Sequence, residues 1–336
     1  MRKILLVLLL GTTLIAGEYD DLDFDTENFE KKALEYQGYL RSDNTYQHSD
    51  RQNKKIASTN NELNLRADLE YELLNLHADY SFFYRHVEYN SADHESTLNA
   101  LYQRFGDERQ SLHIGKEVLR WGKGYAYSPV AFFERPKNPV YPELSREGYW
   151  MAHGKLTRTV DASLLKNYTI SLIALPDVDE NSDLFEHTDS HYGAKLYMLL
   201  EKTDIDLIIA NDAYGIDFSS DVSGGLELHG EYARKDSIES YLGGLRFQSE
   251  TDLTLIAEYM KTFQADRLLY LKATQKEPFD IVYSSLYALY IKEIDEDFYR
   301  IQAGGTYDFK NGLTVDLALL ESDQGHGVKG ILYYYF

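Results

Sequence analysis

The sequence predicts an all-β protein, a closed antiparallel transmembrane β-barrel of about eighteen strands, and three observations carry that reading. Apolar and polar residues alternate with period two from residue 33 to the end of the chain. No segment holds the roughly eighteen consecutive apolar residues that a helical span requires, whereas a barrel strand needs an apolar residue only at every second position. The chain also ends on a strand, Val328 to Phe336, that sets Val328, Leu332, Tyr334 and the terminal Phe336 on one face. In a soluble sheet that aromatic edge would invite aggregation. Closure into a barrel pairs it on both sides and turns its apolar face to lipid. Tyrosine, at 29 of 336 residues, is abundant enough to supply aromatic girdles at two membrane interfaces.

The N-terminus reads as an export signal over residues 1–17. Arg2 and Lys3 precede the apolar run Ile4 to Leu10, and Ala16-Gly17 offers small residues for cleavage. Residues 18–32 follow as an acidic segment, expected to be periplasmic and disordered, that ends on Lys31-Lys32. The chain has no cysteine, which excludes a lipid-anchoring lipobox and disulfides. Its net charge of −21 becomes −23 without Arg2 and Lys3, a balance that excludes nucleic acid as a partner.

From residue 33 the alternation divides into strands at 33–42, 61–73, 76–88, 96–106, 110–120, 148–158, 167–175, 190–201, 204–211, 214–222, 226–234, 239–248, 253–263, 267–275, 281–292, 298–309, 313–321 and 327–336. The second shows the pattern well, with Leu63, Leu65, Ala67, Leu69 and Tyr71 against Asn64, Arg66, Asp68 and Glu70. Short polar turns at 74–75, 107–109, 202–203, 223–225, 249–252 and 310–312 fall at one end with both termini, the expected periplasmic side. Most long loops are expected at the other. The count is even, as a single-chain barrel needs. It falls to sixteen if Ser223-Gly224-Gly225 is not a turn and 267–275 is not a strand.

Residues 116–147 stand apart. They hold four of the six prolines, Pro129, Pro136, Pro139 and Pro142, and are bracketed by Trp121 and Trp150. Lys116, Arg120, Lys123, Arg135, Lys137 and Arg146 outnumber Glu117, Glu134, Glu143 and Glu147, so an acidic chain keeps one stretch basic. Proline lowers the entropy of ordering a long loop, and ordered long loops are usually functional. The six cations are therefore candidates for a pore constriction; a stiff external cap is the alternative.

Gly115-Lys116-Glu117-Val118-Leu119-Arg120-Trp121-Gly122-Lys123-Gly124, with Ser128-Pro129 after it, resembles the signature of a group of proteobacterial porin-like proteins. Gly215-Ile216-Asp217-Phe218-Ser219, Leu226 to Tyr232 and Gln275 to Asp280 are similar to stretches of the same group, and the resemblance covers most of the chain after residue 17. The architecture it implies is similar to that of the eighteen-stranded alginate-export porin. What it implies for function is an outer-membrane channel for passive diffusion or export of hydrophilic solutes, small or polymeric.

The alternation puts Asp68, Glu70, Glu72, Asp79, Asp206, Asp217, Asp221, Glu227, Glu231, Glu258, Asp308 and Asp316 in the lumen, against Arg66, Arg85, Arg246, Arg300 and Lys329. His229 shares that face. Such a wall concentrates cations and does not suit a polyanionic cargo. The acidic loop 176–189 could bridge divalent cations loosely to lipopolysaccharide, but no metal motif or cofactor is expected. Enzymatic alternatives rest on His94 with Ser96, and on His187 with Asp189 or His191, none of which forms a hydrolase motif. No enzyme is expected, and a structural or assembly barrel with a filled lumen is the other class. The expected partners are outer-membrane lipid and lipopolysaccharide, the barrel-assembly machinery, which reads Tyr334 and Phe336, and a hydrophilic solute. Circular dichroism of the membrane-extracted protein should be dominated by β-structure; a predominantly helical spectrum, or a soluble product, would overturn the fold class.

Overall fold

A computed structural model describes residues 34–50, 53–71, 74–144, 146–160, 164–181 and 191–336. The expected export signal and the whole of the acidic segment after it lie outside the described residues. The chain from Leu34 onward forms one eighteen-stranded antiparallel sheet closed on itself. In chain order the strands are β1 Leu34–Ser49, β2 Lys54–Tyr71, β3 Leu74–Val87, β4 Asp93–Gly106, β5 Gln110–Glu117, β6 Tyr149–Thr159, β7 Leu165–Ala174, β8 Tyr192–Leu200 and β9 Thr203–Ala210. They continue as β10 Ala213–Ser223, β11 Leu226–Lys235, β12 Ile238–Gln248, β13 Leu253–Lys261, β14 Arg267–Lys276, β15 Ser284–Glu293, β16 Tyr299–Phe309, β17 Leu313–Ser322 and β18 Gly325–Tyr335. Each strand pairs with its sequence neighbours, and β18 returns to β1 in antiparallel register, Tyr335 opposite Tyr39 and Gly325 opposite Ser49. Both Ser223, with the turn after it, and the strand at 267–275 are present, so the count is eighteen.

The two faces divide as a membrane barrel requires. Leu317 and Leu319 are 64% and 66% exposed on the outside, with Leu172, Ile209, Phe218, Val328 and Leu332 also exposed there. Asn64, Asp206, Asp217, Glu258 and Gln302 are buried on the inner face. An apolar exterior over a polar interior is the reverse of a soluble protein, and it is stable only with hydrocarbon outside.

Strand boundaries differ from the sequence reading mainly in the first hairpin. β1 and β2 run through residues 43–49 and 54–60, which were expected to lie outside strands. At 16 and 18 residues these strands exceed the roughly 10 that cross a bilayer. Their far ends carry polar residues on the outer face as well as the inner, with Ser42, Asn44 and Thr59 outward and Arg41 and Asp43 inward, so alternation fades although pairing continues. Asn44 accepts a hydrogen bond from the Thr59 hydroxyl at 2.9 Å there. The turn expected at 74–75 is displaced, because Leu74 and Asn75 already pair with Tyr71 and Glu70. β5 stops at Glu117 rather than continuing to 120.

The expected asymmetry of the two ends is also narrower than supposed. At the end away from the chain termini, the connections at 211–212, 236–237 and 323–324 are as tight as those at the opposite end. Two connections there are long: residues 118–148 between β5 and β6, and residues 175–191 between β7 and β8.

The seam depends on the last residue. Gly38 N–H donates to the Phe336 carbonyl at 2.9 Å, and Phe336 N–H donates to the Gly38 carbonyl at 3.1 Å. The Phe336 ring lies over Gly38 so closely that an added Cβ would sit 2.7 Å from it, and 2.6 Å from the Asn64 carbonyl. Gly38→Val should therefore lower the yield of heat-resistant folded barrel severalfold, and deletion of Phe336 should do the same by leaving two seam groups unpaired. Wild-type yields of both variants in the membrane fraction would show that the seam closes without this contact.

Candidate functional site

Residues 118–148 fold against the inner wall. Val130 is 0% and Phe133 1% exposed, and with Leu119 and Trp121 they pack on Ile173, Ile208 and Ala233 of β7, β9 and β11. Ala126, Tyr127 and Val140 pack with Tyr270, Leu289 and Ile291 of β14 and β15. Further on, Gln302 donates to the Tyr141 hydroxyl at 3.3 Å, and Arg41 and Lys329 lie over the Tyr141 ring at 5.1 and 4.7 Å. The segment thus contacts the wall from β7 round to β18 and β1 before rejoining β6. Wall glycines admit it closely: the Phe133 ring covers Gly193, and Val130 covers Gly215.

Two wall carboxylates hold the segment by its backbone. Glu231 of β11 accepts from the N–H groups of Lys123 at 2.7 Å, Gly124 at 2.6 Å and Val130 at 3.3 Å, and from the Ser128 hydroxyl at 2.8 Å. Glu258 of β13 accepts from the N–H groups of Tyr125 and of Ala126, the latter at 2.9 Å, and lies 3.0 Å from His229 Nε2. Successive N–H groups turned inward make a concave site for an anion. Here the wall supplies the anion. The Tyr125 hydroxyl adds a bond to Glu227 at 2.9 Å.

The six candidate cations do not form a common ring. Lys116 is buried at the end of β5 and bonds Glu147, to which Arg135 also reaches at 3.3 Å. Lys123 lies 3.3 Å from Asp206. Arg146 donates to Glu134 at 3.1 Å, and Lys137 donates to the Gly124 carbonyl. Burial pushes the Glu134 carboxyl upward, opposed by the Trp121 N–H and Arg146, and pushes the Lys137 amine downward, opposed by Glu134 and Glu231. Arg120 alone of the six is exposed; it borders a cavity of about 630 Å³ shared with Trp121, Lys155, Lys195 and Tyr197. A second cavity of about 670 Å³, bordered by Tyr39, Arg66, Tyr141, Asp316 and Tyr333, lies beside the seam.

Among the described residues the expected lumenal positions share the inner face, and several have partners there. Asp68 lies 2.7 Å from His77 and Glu70 3.6 Å from Arg104. Asp79 accepts from Asn64 at 2.6 Å, Arg66 at 2.8 Å and Asn99 at 2.8 Å, in a network that includes Ser81. Asp217 is directly opposite Asp206, and Asp221 opposite Glu227. Arg246 bonds Gln248 at 2.7 Å, and Arg300 shares the inner face with Gln302. Glu72 lies outside the described residues, as do Asp183, Glu186, His187 and Asp189 of the acidic loop. His94 packs on Tyr84 with ring centroids 5.1 Å apart. Sequence reasoning did not single out Tyr141 or the cluster of His113, Glu117 and His153, because no local spacing joins their partners.

The fold is that of a porin-like transmembrane barrel. A triple mutant of the Rhodopseudomonas blastica porin is similar over 90% of this chain and 100% of its own, with a TM-score of 0.51 and 11% identity. A second mutant of that porin is similar over the same shares, with a TM-score of 0.51 and 12% identity. No family model matches the sequence, and no curated protein matches it.

Glu231→Ala would strip the acceptor from four donors of the segment, a loss of about 3 kcal/mol or more. Cleavage of residues 118–148 by added protease should then quicken by about 100-fold while the barrel stays assembled. Unchanged cleavage would show that apolar packing alone holds the segment.

Proposed function

We propose that the protein is an outer-membrane channel for passive movement of hydrophilic solutes, with residues 118–148 narrowing its lumen. The observation that carries this reading is the contact of that segment with the wall from β7 to β18 and β1, with cavities left beside it. In this reading the termini face the periplasm and the exposed apolar belt meets lipid, with lipopolysaccharide at the far end. The Tyr334 and Phe336 ending is then the part that assembly machinery reads.

The pairing of Lys116, Lys123, Arg135 and Arg146 with carboxylates alters the charge argument made from sequence. A cation already paired contributes little field to a passing ion, so the segment does not act as a basic ring. Acids toward the end that holds the chain termini, Asp68, Asp221 and Asp308, then set a mild preference for cations. No geometry among the described residues favours a hydrolase over a channel. A filled structural barrel is the competing reading, supported by the buried Val130 and Phe133.

Planar-bilayer recording separates the two. The wild-type channel should conduct with a mild cation preference that shrinks from about 0.1 M to 1 M salt, as the screening length falls from roughly 10 to 3 Å. Deleting residues 125–145 should raise conductance severalfold. A silent wild type that conducts only after the deletion would favour the filled barrel, and equal conductance in both would place the path away from the segment.

A further inference from the structure

Where the chain leaves β5 for the long segment and re-enters at β6, three metal-ligating side chains converge. His113 and His153 are direct cross-strand partners on the inner face, and Glu117 ends β5. Residues four apart in a regular strand are separated by roughly 13 Å, too far for a short bond between most side chains. Gly115, at φ +137°, adopts a conformation that side-chain-bearing residues rarely do, and the altered strand lets Glu117 reach back. Its two carboxylate oxygens lie 3.0 Å from Nδ1 of His113 and 3.0 Å from Nδ1 of His153. One ligand atom from each residue falls within 4.8 Å of the others, and all three residues are buried.

The rings are held in place before any ligand arrives. Tyr102 stacks on His113 with centroids 5.0 Å apart and planes 11° apart, and His113 meets His153 edge-on at 5.6 Å. His153 is 1% exposed, and its Nε2 has no hydrogen-bond partner. Its bond to Glu117 therefore does not use the full polar capacity of a buried imidazole, which is costly to leave unmet. The cluster borders the cavity of about 630 Å³, so further coordination positions would be open to water.

We propose that His113, Glu117 and His153 bind a transition-metal dication of the zinc class. Two imidazoles and one carboxylate form a three-ligand set that leaves a zinc ion a fourth, open position. Calcium and magnesium prefer all-oxygen sites. The same cavity is lined by Arg104, Arg120, Lys155 and Lys195 as well as Asp107 and Glu108, so the surrounding charge gives a dication little net attraction and binding rests on the coordinate bonds. A bound ion would join the two ends of residues 118–148 at their base.

The test uses purified full-length barrel in detergent, with Zn²⁺ and then Co²⁺ as probes. One zinc per chain should be retained after gel filtration, and Co²⁺ should give visible ligand-field bands that Zn²⁺ abolishes. His113→Asn with His153→Asn should weaken binding by about 100-fold or more, and Glu117→Gln by about 10- to 100-fold. His77→Asn, which alters another lumenal histidine beside a carboxylate, should leave it unchanged. Heat-shifted gel mobility confirms that each variant is folded; for any that is not, Co²⁺ bands of the wild type with nitrogen-ligand character decide the matter alone. Failure of the wild type to retain zinc, retention by the folded double variant, or preference for Ca²⁺ would overturn the assignment. None of these outcomes depends on conductance.

Discussion

Every backbone N–H and C=O facing hydrocarbon must find a partner within the protein, since lipid offers none. For this chain that requirement is met by returning β18 to β1, a pairing that runs from Tyr39–Tyr335 to Ser49–Gly325 and is finished by the reciprocal bonds of Gly38 and Phe336. Closure sets which residues can face inward, because side chains alternate along each regular stretch of strand once the register is set. The lumenal positions of Asp206, Asp217, Glu231 and Glu258 follow from it. So does their burial, which in turn requires partners for them.

For Glu231, Glu258 and, with Lys195 of β8, Asp206, partners come from the segment between β5 and β6, whereas the Asp217 carboxylate accepts no hydrogen bond among the described residues. A buried carboxylate is costly unless it is paired and hydrogen-bonded. Glu231 and Glu258 are satisfied by inward-turned N–H groups of residues 123–130, and Asp206 by Lys123 and Lys195. Folding the segment inward therefore resolves two problems at once: the backbone donors of a long loop find acceptors, and the wall acids find donors. Apolar residues of the same segment, Val130 and Phe133, fill the space that Gly215 and Gly193 leave open. Backbone pairing and packing place the chain; its charged side chains largely neutralise one another.

Strand parity was legible because it reflects one local rule, apolar outward and polar inward. It identified the lumenal face of Asp68, Asp79, Glu227 and Glu231, and the outward face of Val328, Leu332, Tyr334 and Phe336. It faded where both faces turn polar, as at Ser42 and Asn44 opposite Thr59, because beyond the apolar belt nothing selects an outward hydrophobe. The prominence of residues 116–147 was legible from proline and charge. Their contacts were not, since Lys123 meets Asp206 and Tyr125 meets Glu258 across more than eighty residues of sequence. The basic excess read from composition misled for the same reason: a count of charges within a segment omits the carboxylates that other strands bring to it. His113, Glu117 and His153 escaped notice because their meeting depends on one cross-strand register and one glycine.

The grip of Glu231 and Glu258 falls on peptide groups, which every residue except proline carries. Many substitutions at Lys123 and Tyr125 would leave those donors intact, whereas Gly124, Ala126 and Val130 are confined by packing and the two glutamates have no equally good substitutes. Drift among descendants of this barrel should therefore be lopsided, with the less buried side chains of the inserted chain free to change while its two anchors stay constant. A barrel so arranged can acquire a new lining without having to learn again how to hold it.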